Sequence, residues 1–383
     1  MSSRSDGGGV EVLVIGPHRP GSGGGVNQYI TEQCRHLPES VRTRVYSVAV
    51  SQGTGLKWFA FALLTALKQM LLFPFRRPPD VVHVHSAQWN SFYQSSWYVF
   101  FVALAWRRPI VLHVHGSSFD EFLAVDSLPI QLLQSAVFRA SDVVVALSEG
   151  WAEVLEGDVD PEKVTVLHNA VDASEYDPSF SVSPVRLSFV SNHIERKGIT
   201  ELVEAVEQLA EETPVDITIA GKGPLSHLAE DLADSQPGVE YVGYVSEERK
   251  REILNESTVY VLPTYAEGVP IAILEAMAGG NAVVSTDVGG IPSVVDEDNG
   301  VLVDPGDADA LAEALRSLLG EPERIRSMAE ESRRRVVAAH SWQTVAADLE
   351  ALYDSLAPSS REAEDGRSGD RSDAPSDESY ASK

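Results

Sequence analysis

The sequence predicts two doubly wound α/β domains in tandem, and three observations predict them. Apolar β-branched runs recur along the chain, helical stretches separate them, and the series pauses once, near residues 173–184, before it restarts. Strands that alternate with helices form parallel sheets, because each crossover returns the chain to the same end of the sheet. A length of 383 residues then divides into two halves of roughly 160, each enough for one core.

The first series is VEVLVIG, VRTRVYSVAV, DVVHVHS, PIVLHVHG, DVVVALS and KVTVLHN. A stretch rich in Ser, Pro and Asp follows Asn169, and the second series is RLSFVS, VDITIAG, VEYVG, STVYVLP, NAVVST and GVLVDP. These runs set the expected boundaries. A first domain occupies 10–178, a second 184–340, and a last helix 341–356. Residues 1–9 are Ser/Gly-rich and 357–383 contain almost nothing that could be buried, so disorder is expected at both ends. Ligands of such domain pairs sit between them, beyond the carboxyl ends of the strands.

Charge narrows the partners. The chain has 57 Asp plus Glu against 30 Lys plus Arg, a formal −27, which opposes a general affinity for nucleic acid. Arginine outnumbers lysine 23 to 7, an acidic, lysine-poor pattern that also occurs in proteins working in concentrated salt. Cys34 has no second cysteine to pair with, and MSSRSDGGG is not followed by a secretion-type apolar region, so a reduced, cytoplasmic setting is expected.

Three segments can carry chemistry. Gly21, Gly23, Gly24 and Gly25 follow the first strand and precede a helix, where backbone N–H groups can approach a phosphate, although a plain flexible loop fits the same residues. Arg196 and Lys197 lie between a strand and a helix with apolar residues at Leu202, Val203, Val206 and Leu209. Two cations there suit a diphosphate, and a solvated basic pair is the alternative. In EGVPIAILEAMAGG a turn opens a helix, with Glu267 just before it and Glu275 inside it. Such carboxylates can accept hydrogen bonds from sugar hydroxyls while the turn amides face phosphate.

With these motifs the chain resembles glycosyltransferase family 4, the retaining class with the GT-B fold. The resemblance runs over about residues 10–356 and rests above all on Glu267 and Glu275, supported by GGGVNQY, HVHG, HNAVD, KG, GKGP and VGGIP. It implies that Lys197 holds a donor diphosphate, Glu275 the ribose hydroxyls and Glu267 the transferred sugar. Gly24 and Gly25 are implied to border the diphosphate and acceptor, and His115 to lie beside the sugar. Amides at Gly268 and Val269 are implied to complete the phosphate cradle. The last helix is implied to cross back to the first domain. The implied donor is a UDP- or GDP-sugar and the acceptor a glycan or a lipid-linked sugar, with no metal and no further cofactor.

One position departs from the pattern. Ser191 and Asn192 stand where the family often has Gly-Arg, and Arg196 is a candidate replacement for the missing cation. That departure keeps open an inactive nucleotide-sugar-binding protein. A glycoside hydrolase using Glu267 and Glu275 needs carboxyl groups facing each other across a bond, and a nicotinamide enzyme needs a GxGxxG fingerprint that the glycine-rich loop lacks.

Other signals are expected to be structural. Asp158/Asp160 and Asp307/Asp309 have a metal-site form but lie in a connection and at a helix start. His83, His85, His113 and His115 sit two apart on strands and are expected to pack under the sheet or line the cleft, with zinc binding the alternative. The apolar segments 56–77 and 97–108 are expected as helices packed on the first sheet, with an interfacial face meeting lipid as the alternative.

Overall fold

The computed structural model describes residues 9–19, 25–49, 53 and 55–357. The disorder expected of 1–9 and 357–383, apart from Gly9 and Ala357, falls outside these residues. So does Gly24.

All twelve apolar runs form strands. β1 (Val10–Gly16), β2 (Val41–Ser47), β3 (Val81–Ser86), β4 (Ile110–Val114), β5 (Val143–Ala146) and β6 (Val164–Val166) build a parallel sheet in the order β2-β1-β3-β4-β5-β6. β7 (Leu187–Val190), β8 (Ile217–Ala220), β9 (Val239–Gly243), β10 (Val259–Leu262), β11 (Ala282–Thr286) and β12 (Gly300–Val303) build the other, ordered β12-β11-β10-β7-β8-β9. Every residue of β3, β4, β10 and β11 is buried. Burial on both faces is what a continuous apolar run, rather than an alternating one, demands. Helices supply the cover: Leu202, Val203, Val206 and Leu209 of the Ile199–Ala210 helix are buried, as their spacing predicts.

Each sheet reverses strand order once, between β1 and β3 in the first and between β7 and β10 in the second. Loops leaving the carboxyl ends of these neighbours diverge and leave a crevice. The chain passes between the two sheets twice, side by side. Val171 bridges Ser341, Val171 N–H donates to His340 O at 2.9 Å, and Trp342 N–H donates to Val171 O at 3.3 Å. Beyond that point the Trp342–Leu356 helix buries Trp342, Val345, Leu349 and Tyr353 against Val12, Val14, Tyr29 and Ile30 of the first half.

The two apolar segments part company. Of 97–108, Tyr98, Val99 and Val102 are fully buried beneath the first sheet's cover. The Leu56–Leu72 helix, by contrast, contains no buried residue. Half-buried Met70 packs against the first core near the helix's far end, so the expectation of packing on the sheet holds there and fails for the exposed leucines and phenylalanines. The helix is apolar on nearly every side, so whichever face it turned inward, large side chains would remain outside.

Candidate functional site

The site assembles at the second sheet's crevice. After β7 the chain makes a single turn, Glu195–Lys197, and Gly198 at φ 70 starts the Ile199–Ala210 helix. A side chain at Gly198 would overlap the Pro263 carbonyl oxygen in the loop after β10. Left-handed backbone and close approach together select glycine. Tyr265 N–H and Thr264 Oγ1 both donate to Arg196 O, each at 2.8 Å, locking the two loops edge to edge. Gly198→Ala is expected to lower stability by about 1–3 kcal/mol, read from the urea midpoint; an unchanged midpoint would contradict this packing.

That lock brings Glu267, Lys197 and Arg196 together. The Lys197 ammonium hydrogen-bonds Glu267 Oε1, on which Arg196 Nη1 at 3.4 Å and Thr264 Oγ1 at 3.2 Å also converge. Glu267 is 8% exposed. Burial pushes the Lys197 pKa below the ordinary lysine value, and the Glu267 carboxylate offsets only part of this. Arg196 is half-exposed and faces the crevice with its second charge. The loop after β11 supports the arrangement: Gly289, at φ 55, lies so close to the Glu267 carbonyl that any side chain there would overlap it. The VGGIP motif thus holds the backbone that carries Glu267.

Glu275 lies on the second turn of the Ile271–Ala278 helix and is 5% exposed. Its Oε1 accepts from Lys250 Nζ at 2.7 Å and from Gln28 Nε2 at 3.0 Å. Burial alone would lower the Lys250 pKa, but the carboxylates of Glu275 and Glu247 outweigh it and the pKa is raised. Gln28 belongs to the Gly25–His36 helix of the first half, so this bond spans the cleft. Asn169 makes another, donating to Val269 O at 2.6 Å. Lys250, Gln28, Thr264 and Asn169 carry no role in the sequence reading. Asn169 sits in HNAVD, the one signal that could have marked it.

Across from these groups stand Gly25, at the start of its helix, and His115, just past β4. The cleft between the halves measures about 500 Å³ and is lined by Gly25, His115, Lys197, Glu267, Gly268 and Glu275, among others. Ser191, Asn192, Arg196 and Val269 also face it. His115 Nε2 lies 2.8 Å from His85 Nδ1, and desolvation pushes its pKa down to about 3, so its ring is neutral at pH 7. Behind it, His83, His85 and His113 form a buried stack of rings beneath the Trp342–Leu356 helix. His83 pairs with His113 at 3.2 Å and with the Tyr353 hydroxyl at 2.6 Å. Ring centroids are 4.3 Å apart for His83 and His85 and 4.1 Å for His113 and His115. Three of these histidines bring ring nitrogens within 4.8 Å of one another, yet the pairings above use those of His83 on neighbours.

The aspartate pairs hold backbone and side-chain donors of the fold. Asp160 accepts from Glu162 N–H at 3.2 Å and Asp307 from Ala310 N–H at 2.8 Å, as caps do, while Asp309 accepts from Gln208 at 2.8 Å.

Residues 4–170 match the family described as "Glycosyl transferase 4-like domain", and residues 184–321 the one described as "Glycosyl transferases group 1". The α-maltose-1-phosphate synthase of Mycolicibacterium smegmatis is 32% identical over 252 residues, covering 58% of this chain and 65% of the relative. Against it the chain spans less than two thirds of the relative's length. A putative teichuronic acid biosynthesis glycosyltransferase of Bacillus subtilis is 30% identical over 278 residues, 68% of this chain and 67% of the relative. An Anabaena protein solved in complex with UDP-glucose superposes with a TM-score of 0.68 at 16% identity, covering 91% of this chain and 100% of the other.

Proposed function

The chain belongs to the family-4 type of glycosyltransferase, and from that premise we propose that it moves a sugar from a nucleotide-diphosphate donor to an acceptor hydroxyl with retention of configuration. The observation that carries the reading is the convergence of Lys197, Arg196 and Glu267 at the crevice of the second sheet, facing His115 across the cleft.

Two cations face one carboxylate there, so an excess positive charge remains for a diphosphate. In this reading Lys197 and Arg196 hold the phosphates, and the amides of Gly268 and Val269 at the helix start add donors. Glu275 accepts from the ribose hydroxyls. Glu267 accepts from the sugar, and the neutral ring of His115 lies beside it. No side chain attacks the sugar: the leaving diphosphate departs from the face that the acceptor hydroxyl enters. Catalysis is then positioning of two substrates plus stabilisation of charge growing on the leaving phosphate. Fixed cations take the part that a divalent ion plays elsewhere, so no metal or cofactor is needed. The acceptor is a glycan or a lipid-linked sugar approached from the first domain.

Calorimetry with a panel of nucleoside diphosphates and their sugars, in low and molar salt, tests this. Micromolar binding of UDP or GDP is expected, together with turnover that persists in a chelator. Failure of every nucleotide on folded protein would remove the reading. Binding without turnover on any acceptor would instead identify an inactive binder, the outcome that Ser191 and Asn192 favour.

A further inference from the structure

The most unusual surface of the molecule lies away from the cleft. Along the Leu56–Leu72 helix and the turn that follows it, Leu56, Phe59, Phe61, Leu63, Leu64, Leu67, Leu71, Leu72 and Phe75 are all exposed, Leu64 by 66% and Leu71 by 71%. Isolated apolar residues on a surface are ordinary, but a contiguous face of this size marks a surface that meets something. Leu104, shortly before Trp106, is exposed by 76% as well.

Charge says what that something is. Between Glu39 and Asp120 the sequence holds a single acid, Asp80, against eight basic residues, at 42, 44, 57, 68, 76, 77, 107 and 108. Elsewhere in the chain 56 acids face 22 basic residues. Asp80 is itself occupied, accepting from Glu11 N–H at 2.9 Å. Lys57, Lys68, Arg76, Arg77 and Arg107 are exposed. They also cluster with the helix in space. Arg76 lies 5.4 Å over the Tyr46 ring, whose hydroxyl donates to Gln69 O at 2.6 Å, and Arg107 follows Trp106, packed 4.6 Å from Phe73. In so acidic a protein, a local excess of cations at the rim of an apolar helix matches an anionic apolar sheet, which is a lipid surface.

Topology then decides how the helix meets it. By length and composition alone the 20-residue segment Leu56–Phe75 is long and apolar enough to span a bilayer. Spanning would put β2 and β3 on opposite sides of the membrane, yet both pair with β1 in one sheet. Gln69 ties the far end back to the sheet, donating to Ser47 O at 3.2 Å. Only an in-plane orientation is compatible with the fold.

We propose that the Leu56–Leu72 helix, with the basic residues around it, docks the first domain flat on an anionic bilayer. The inference stands on this surface alone and does not depend on the donor reading.

Flotation of the full chain with vesicles tests it, comparing phosphatidylcholine alone with phosphatidylcholine containing a third phosphatidylglycerol. The protein is expected to float with the anionic vesicles. Leu64→Glu with Leu71→Glu should reduce the vesicle-bound fraction at least tenfold with unchanged melting temperature, since both side chains face solvent. Lys57→Glu with Lys68→Glu should weaken binding to the anionic vesicles only. Nucleotide binding should be the same in all variants. If the wild type floats with neither vesicle, or the leucine variant floats as well as the wild type, the proposal fails. It fails too if sedimentation shows a dimer that the leucine variant dissociates, because the face would then be covered by a second copy.

Discussion

Lys197→Ala is expected to slow sugar transfer by about 100- to 1000-fold, the usual cost of removing one preorganised donor from a developing anion. The side chain is 13% exposed and its ammonium contacts Glu267, so the charge acts where water screens it little. Its loss also leaves the Glu267 carboxylate with Arg196 at 3.4 Å as its remaining cation, which raises the negative charge opposite the diphosphate. Arg196→Ala should cost less, because that guanidinium is half-exposed and screened. The comparison settles a point of chemistry. Equal losses would mean that Arg196 fully replaces the cation absent at Ser191 and Asn192. Initial rates at saturating donor, with melting temperatures as a check on folding, give the measurement; a loss below fivefold for Lys197→Ala would place the phosphates elsewhere.

Most strands were legible because a parallel sheet covered on both sides leaves a trace, a run of β-branched apolar residues, whereas the edge strand β2, VRTRVYS, alternates with Arg and Thr. The second strand ends at Ser47, although the apolar run continues through Val48 and Ala49. Glu267, Lys197 and Arg196 were each legible as members of motifs. Their meeting was not, since Glu267 lies about 70 residues from the two cations and joins them only because β7 and β10 are neighbours. Lys250 and Gln28 left no trace for the same reason: each is an ordinary helix residue until the fold sets it against Glu275. The glycines of KG and VGGIP were visible as motifs, but the carbonyls they approach belong to other loops. Segments 56–77 and 97–108 have much the same composition and opposite fates. Hydropathy records how much apolar surface a segment offers, and not whether a neighbour exists to cover it.

The buried histidines should make the protein acid-labile well above the carboxylate range. Desolvation, with help from neighbouring rings, pushes His83 down to about 3 and holds His85 and His113 far below the ordinary value, and His115 reaches about 3 by desolvation alone. Above an unfolded pKa of about 6.5 all four are neutral in both states, so folding takes up and releases no protons through them. Below it the unfolded chain binds protons that the folded chain refuses. Stability is therefore whole above pH 6.5 and falls as pH drops toward 3, by about 1.4 kcal/mol per pH unit for each histidine that stays neutral. Two such groups at pH 5 would remove about 4 kcal/mol, a large share of the roughly 5–15 kcal/mol that holds a domain. The surplus of acids acts in the other direction, since protonating carboxylates relieves self-repulsion, but that relief begins near pH 4. Between pH 5 and 6.5 the histidines decide the slope. Urea midpoints across pH 5–8 should fall steeply on the acid side, and His113→Phe should flatten the fall whatever it does to stability at pH 8. A flat profile in the wild type would mean that the ring stack opens to water. Since His115 itself stays neutral throughout, the turnover of molecules still folded at pH 6 should match that at pH 7.5, so lost activity should track lost fold.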